Sequence, residues 1–183
     1  MPEGAAARAW LDAHRGGASV AEALSVFDCL PPVATTDLVG RWRGRGLPTG
    51  SPLDGLLEAY GWWGKDIVGD DTVHPLLFAD RRGRPRPLAP GVVPVAVLRR
   101  WPRVAHLGPV RRLGRAVRPL VTTSRPGARL RTVTSRGVAT AALLYDALPV
   151  VDVFRRIDDG AVLGLMDLRG LQEPFFFVLE RAV

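Results

Sequence analysis

A single lysine, Lys65, stands among 24 arginines, and a single cysteine, Cys29, occurs in 183 residues. One thiol forms neither an internal disulfide nor a cysteine zinc site, so the fold has to rest on its apolar core. A chain of this length can supply that core, because folding at this size buries roughly 70% of the surface the unfolded chain exposes. No uninterrupted apolar run reaches the roughly 18 residues of a membrane-spanning helix. No basic segment near Met1 leads into an apolar stretch either. A cytoplasmic protein without a membrane span is the expectation. Also missing are a phosphate loop, a dinucleotide glycine fingerprint, a Gly-X-Ser-X-Gly elbow and a His-Glu-X-X-His pair, which disfavours the enzyme classes built on them. Turn formers are plentiful, with 20 glycines and 16 prolines against 47% hydrophobic residues. That composition suits one globular domain over 1–183.

Acidic residues are absent from a whole stretch. Residues 81–145 carry fifteen arginines and no acid, whereas residues 1–80 sum to −5 and residues 146–183 to −3. The net charge of +7 therefore belongs to one block, which can attract phosphates, carboxylates or nucleic acid. The aromatic residues that interleave with arginine in single-strand binders are nearly absent there, Trp101 being its one tryptophan or phenylalanine. Nucleic acid is accordingly disfavoured as a partner. The plain alternative is a solvated arginine surface set by codon usage.

Residues 1–32 read as a helical extension. Ala6, Ala9, Trp10 and Ala13 recur at helical spacing up to Gly16-Gly17, and Ser19 can cap a second helix that presents Val20, Ala23, Leu24, Phe27 and Leu30 before Pro31-Pro32. From Leu38 to Gly46, small or apolar residues alternate with arginines, which suits a strand whose inner face carries Leu38, Gly40, Trp42 and Gly44. A helix is expected over 51–60, with Ser51 and Asp54 as a capping pair and Gly61 closing it. Trp62–Ile67 and Thr72–Phe78 read as strands around Gly69-Asp70-Asp71, completing a first half over 35–80. Residues 81–127 form an Arg/Pro-rich connecting segment in which the apolar run Val92–Leu98 and the scattered prolines follow no clear period. Over 128–183, five stretches read as strands: Ala128–Thr134, Val138–Asp146, Pro149–Ile157, Val162–Asp167 and Phe175–Arg181. Strands joined this tightly make an antiparallel meander. With the earlier strands they suffice for a mainly β (α+β) fold, a closed or nearly closed antiparallel β-barrel whose lumen can hold one small ligand.

The run Val39-Gly40-Arg41-Trp42-Arg43-Gly44-Arg45-Gly46, with Pro48-Thr49-Gly50, Gly61-Trp62-Trp63-Gly64-Lys65 and Val73-His74-Pro75-Leu76, resembles the bacterial GXWXG-motif protein family. The second half resembles that family's C-terminal domain of unknown function. The matching residues there include Tyr145-Asp146, Asp152, Phe154-Arg155, Leu163-Gly164-Leu165-Met166-Asp167 and Pro174-Phe175-Phe176-Phe177. More distantly, the Gly-X-Trp motif is similar to that of the calycin group of lipocalin- and nitrobindin-like barrels. That resemblance implies a tryptophan, Trp42, plugging one end, with an arginine of the last strand, Arg181, stacked across it by a cation–π contact. Nitrobindin-like barrels hold haem through a histidine near the last strand. No histidine follows His106 here, so haem is disfavoured, and neither a cofactor nor a metal is expected.

Lys65 needs a reason in a chain that otherwise uses arginine, because an amine can change its pKa on burial, form a Schiff base or donate a proton where a guanidinium does not. It is either a structural ion-pair partner or a ligand-facing group. His74, held extended by Pro75, is a candidate base or hydrogen-bond donor, or a satisfied structural histidine. Asp152 shares a strand face with Val150, Phe154 and Arg156, so it needs a basic partner. Lys65, His74 or an arginine could serve Asp152 and Asp146, structurally or functionally. The candidate catalytic residues are Lys65, His74, Asp146 and Asp152. Trp42, Trp62, Trp63, Tyr145, Phe154, Met166 and Phe176 join Lys65, His74 and Asp152 as candidate ligand contacts. The expected function is binding of a small, largely apolar ligand in the barrel, with an acidic group on that ligand as one option. The alternatives are a cofactor-independent isomerase, cyclase or lyase in the same cavity, and arginine-driven binding of a polyanion.

Overall fold

From Ala128 onward, alternating apolar and polar residues broken by tight turns fold into consecutive antiparallel strands, as a computed structural model of the chain shows. The structure describes residues 3–93, residue 100 and residues 106–182. The apolar run Val92–Leu98, from residue 94 on, and Trp101 lie outside the described residues.

The described helices are α1 (Glu3–Ala13), α2 (Val20–Cys29), α3 (Thr35–Leu38), α4 (Leu56–Ala59) and α5 (Gly108–Val117). The strands are β1 (Gly40–Leu47), β2 (Trp62–Gly69), β3 (Thr72–Ala79), β4 (Pro85–Pro87), β5 (Ala128–Ser135), β6 (Val138–Tyr145), β7 (Val150–Asp158), β8 (Ala161–Leu168) and β9 (Phe175–Arg181). They form one antiparallel sheet in the order β2-β1-β9-β8-β7-β6-β5-β3-β4, and β2 also pairs with β3. Eight strands therefore run in a ring, with β4 hanging on β3. The β5–β6 hairpin turns through Arg136 (φ 51) and Gly137 (φ 79), the left-handed pair that a two-residue turn requires.

Two apolar layers follow from the period of two along each strand. Inside the ring lie Trp42, Trp62, Val73, Leu130, Leu143, Phe154, Val162, Phe175, Phe177 and Leu179. On the outer face of β6–β9, α1 and α2 cover Ala142, Val153, Ile157, Leu163, Phe176 and Val178 with Leu11, Ala23 and Phe27. Helix α2 starts at a capping box in which Ser19 and Glu22 satisfy each other's backbone N–H groups.

The helix expected over 51–60 is confined to Leu56–Ala59. Gly55, at φ 70, breaks the helical path, and Asp54 accepts instead from the backbone N–H groups of Thr49 (2.9 Å) and Gly50 (2.8 Å). Leu38, expected on the first strand, ends α3 instead, and the strand begins at Gly40.

Candidate functional site

In an up-and-down ring, alternate connections fall at the same end. The connections 47–62, 79–128, 145–150 and 168–175 share one end; the hairpin turns 69–72, 135–138 and 158–161 share the other. Near the hairpin end, Trp42 is buried at the start of β1. Its indole Nε1 donates to Leu38 O (2.8 Å), and the Arg181 guanidinium lies 4.3 Å from the ring centroid. Arg181 also donates to the carbonyls of Val39 (3.0 Å) and Asp37 (2.7 Å).

Trp42 is in register with Arg181 on one side and Lys65 on the other, and directly paired residues point to the same face of a sheet. Lys65 is therefore turned into the ring, where its side chain is 3% exposed. Its Nζ donates to Asp152 Oδ2 (2.7 Å), the Tyr145 hydroxyl (3.1 Å) and the Pro75 carbonyl (3.1 Å). Those three bonds use every N–H of an ammonium. The Tyr145 hydroxyl in turn donates to Asp152 Oδ2 (3.0 Å). Burial, followed by the charge and hydrogen bond of Asp152, pushes the Tyr145 hydroxyl well above the usual tyrosine range. The ammonium also sits 5.0 Å from the Phe177 ring centroid and 5.7 Å from that of Trp62. Two polar atoms beside this cluster's residues remain unpaired among the described residues: Asp152 Oδ1 and Trp62 Nε1.

The apolar wall is tightly fitted. Trp62 lies across Gly44 and Phe177 across Gly164, and a Cβ at either glycine would collide with the facing ring. Phe177 meets Trp62 and Phe154 edge to face, at 5.8 and 5.9 Å. Asp152 is paired with Leu143 and Met166, which share its inward face. Tyr145 ends β6 and Asp152 lies near the start of β7, so these two members of the cluster flank the 145–150 connection. Leu57, Tyr60, Val121, Leu148, Met166 and Leu171 pack half-buried against the inner core.

Four expected site residues lie elsewhere. His74 is opposite Asp66, on the face away from the cluster, and lines an outer cleft. Asp146 is exposed and pairs with Arg129 (3.0 Å). The Trp63 ring carries the Arg43 guanidinium at 4.7 Å on the outer face. Phe176 packs edge to face on Phe27 of α2 at 6.2 Å. For His74, Asp146 and Phe176 the physical reason is alternation, because Val73, Tyr145, Phe175 and Phe177 hold the adjacent inward positions; Trp63 is turned out because the β2–β3 register shifts between Trp62 and Lys65. Phe177, Phe175 and the Pro75 carbonyl are the site groups that sequence reasoning missed. Counting back in twos from Arg181 to 179, 177 and 175 was the available signal.

Among the described residues no group of His, Cys, Asp and Glu side chains is arranged to hold a metal ion, and no helix is long and apolar enough to cross a membrane. No curated protein matches the chain. A crystal structure of a protein from Thermomonospora curvata is similar to it at a TM-score of 0.74 and 28% identity, covering 100% of both chains. Residues 25–83 match the family model described as GXWXG protein, and residues 126–181 match the one described as Domain of unknown function (DUF4334). With the first spanning Trp42 and Lys65 and the second spanning Tyr145 and Asp152, the chain belongs to the GXWXG proteins that carry this second domain.

Proposed function

We propose that the ring is a calycin-like β-barrel that binds a small, largely apolar molecule at its connection end, over the Lys65–Asp152–Tyr145 cluster. The observation that carries this reading is the unpaired Asp152 Oδ1, a carboxylate oxygen on a side chain 1% exposed. A buried carboxylate oxygen without a donor is costly, and a ligand that supplies one relieves that cost. The aromatic and aliphatic surroundings suit the apolar remainder of such a ligand.

The cluster also sets the polarity of the ligand. Lys65 has no donor left over, and its charge is matched by Asp152. The free oxygen is an acceptor, so a ligand bearing a hydroxyl or amide N–H suits it and a carboxylate is repelled. This turns the sequence-based expectation of an acidic ligand around. Calorimetric titration with decanol and decanoate, matched in their apolar chains, tests the reading. Saturable binding of the alcohol over the acid is expected; preference for the acid would overturn it.

The same oxygen favours a second reading. With Oδ2 held by Lys65 and Tyr145, Oδ1 would act as a general base, and the neighbouring ammonium would steady the anion formed. That is the chemistry of a cofactor-independent isomerase, cyclase or lyase. Turnover of the bound molecule by the wild type, lost in Asp152→Asn while binding persists, would select the enzyme over the binder.

A further inference from the structure

Among the described residues, the arginines on β5 and those of the β3–β4 hairpin differ in their partners. Those on β5 and its turn are paired: Arg129 with Asp146 (3.0 Å), Arg131 with Asp71 (2.5 Å) and Arg136 with Asp28 (2.5 Å). Those of the β3–β4 hairpin are not. No carboxylate among the described residues lies within ion-pair distance of Arg81, Arg82 or Arg84, and Arg86 meets Asp80 only at 3.5 Å. Asp80 is occupied with the turn itself, accepting from the backbone N–H groups of Arg82 (2.8 Å) and Arg84 (2.9 Å). That turn holds the hairpin loop in one shape and leaves its guanidinium groups to solvent.

These arginines border an open cleft of about 970 Å³ on the outer side of β3 and β4. One wall is apolar, from Phe78, Pro87 and Leu88; another carries Thr123 and Ser124. His74 contributes its ring, with Nδ1 buried and unpaired among the described residues. The other carboxylate in the cleft, Asp66, accepts from Arg41 at 2.7 Å. The balance of the lining is therefore strongly positive.

We infer that this cleft is a second binding site, for a small organic phosphate whose phosphoryl oxygens are held by Arg82, Arg84 and Arg86 and whose uncharged body lies on Phe78, Pro87 and Leu88. Planar guanidinium forks match phosphoryl oxygens with paired N–H donors. A phosphate monoester near neutral pH carries close to two negative charges on three oxygens, which suits three guanidinium groups better than a carboxylate does. The cleft lies on the side of His74 and Asp66, and neither Lys65, Tyr145 nor Asp152 lines it.

Calorimetric titration with phenyl phosphate and with inorganic phosphate, at low ionic strength, tests the site in the full chain. Phenyl phosphate is expected to bind more tightly than inorganic phosphate, because only it uses the apolar wall. Arg84→Gln and Arg86→Gln are each expected to weaken it about tenfold, as loss of a charge-assisted pair does. Arg112→Gln, whose side chain does not line the cleft, is expected to leave binding within about twofold of wild type. Unchanged thermal unfolding of the variants shows that the fold persists. Absence of saturable binding, or equal weakening by Arg112→Gln, overturns the proposal. An oligonucleotide bound more tightly than phenyl phosphate and weakened equally by all three variants would assign the arginines to a nucleic-acid surface instead, and would overturn it too.

Discussion

Lys65 Nζ lies 2.7 Å from Asp152 Oδ2, with the two side chains 3% and 1% exposed. Between exposed partners such a bond contributes little, but here neither charge has water to fall back on. Removing one partner strands the other. Lys65→Met and Asp152→Asn are each expected to lower the unfolding free energy by about 3–5 kcal/mol in urea titrations. The double variant Lys65→Met/Asp152→Leu is expected to regain most of that loss, because apolar replacements of a buried pair are often tolerated. A double variant no more stable than the worse single would contradict the pairing.

Tyr145 ties the pair to alkaline pH. Its folded-state pKa is raised, first by burial and then by Asp152. The unfolded chain therefore gives up this proton first. The contribution is fully present below the ordinary tyrosine value near 10 and is lost as pH rises from there toward the folded value. Stability is expected to fall steeply above pH 10. In an absorbance titration of tyrosinate, the Tyr145 signal is expected to appear together with unfolding, and Tyr145→Phe removes that part of the signal. A Tyr145 that titrates normally in the folded protein would contradict the burial.

At the other end of the ring, Arg181 stacks on Trp42 and donates to two backbone carbonyls. The planar fork makes all three contacts possible at once. Arg181→Lys keeps the charge but not the plane, and is expected to lose about 1–3 kcal/mol, most of the loss expected for Arg181→Ala. Thermal unfolding measures both. Full rescue by lysine would reduce the contact to its charge.

The fit of Phe177 against Gly164 makes a coupled pair. Gly164→Ala is expected to destabilise by about 1–3 kcal/mol through overpacking. In the background Phe177→Leu the same change is expected to cost less, with a coupling of at least about 0.5 kcal/mol in a double-mutant cycle. Additive losses would mean that the ring yields freely.

Where alternation ran clean, the strands were legible: β5 to β9 were readable from turn residues such as Arg136-Gly137 and Asp158-Asp159-Gly160. The inward direction of Lys65 was less so, because the consecutive Trp62-Trp63 pair and the irregular β2–β3 register blur the parity. The Phe175-Phe176-Phe177 run has the same ambiguity, since three apolar residues in a row satisfy either face. Here α1 and α2 cover the outer face of β7–β9, so burial on both sides removes the polar marker that alternation needs. His74 was drawn to the wrong face because the Leu76-Leu77-Phe78 run, buried throughout, blurs the parity of β3. Over 81–127, prolines interrupt every period, and only the sign of the charge could be read.

The claim that Asp152 and its partners form a ligand site is tested most directly by native mass spectrometry of the full chain after exposure to a cell extract, beside the charge-free double variant Lys65→Met/Asp152→Leu. The wild type is expected to retain a small-molecule adduct that the folded double variant lacks. A wild type without an adduct, or an adduct held equally by both, would contradict the account.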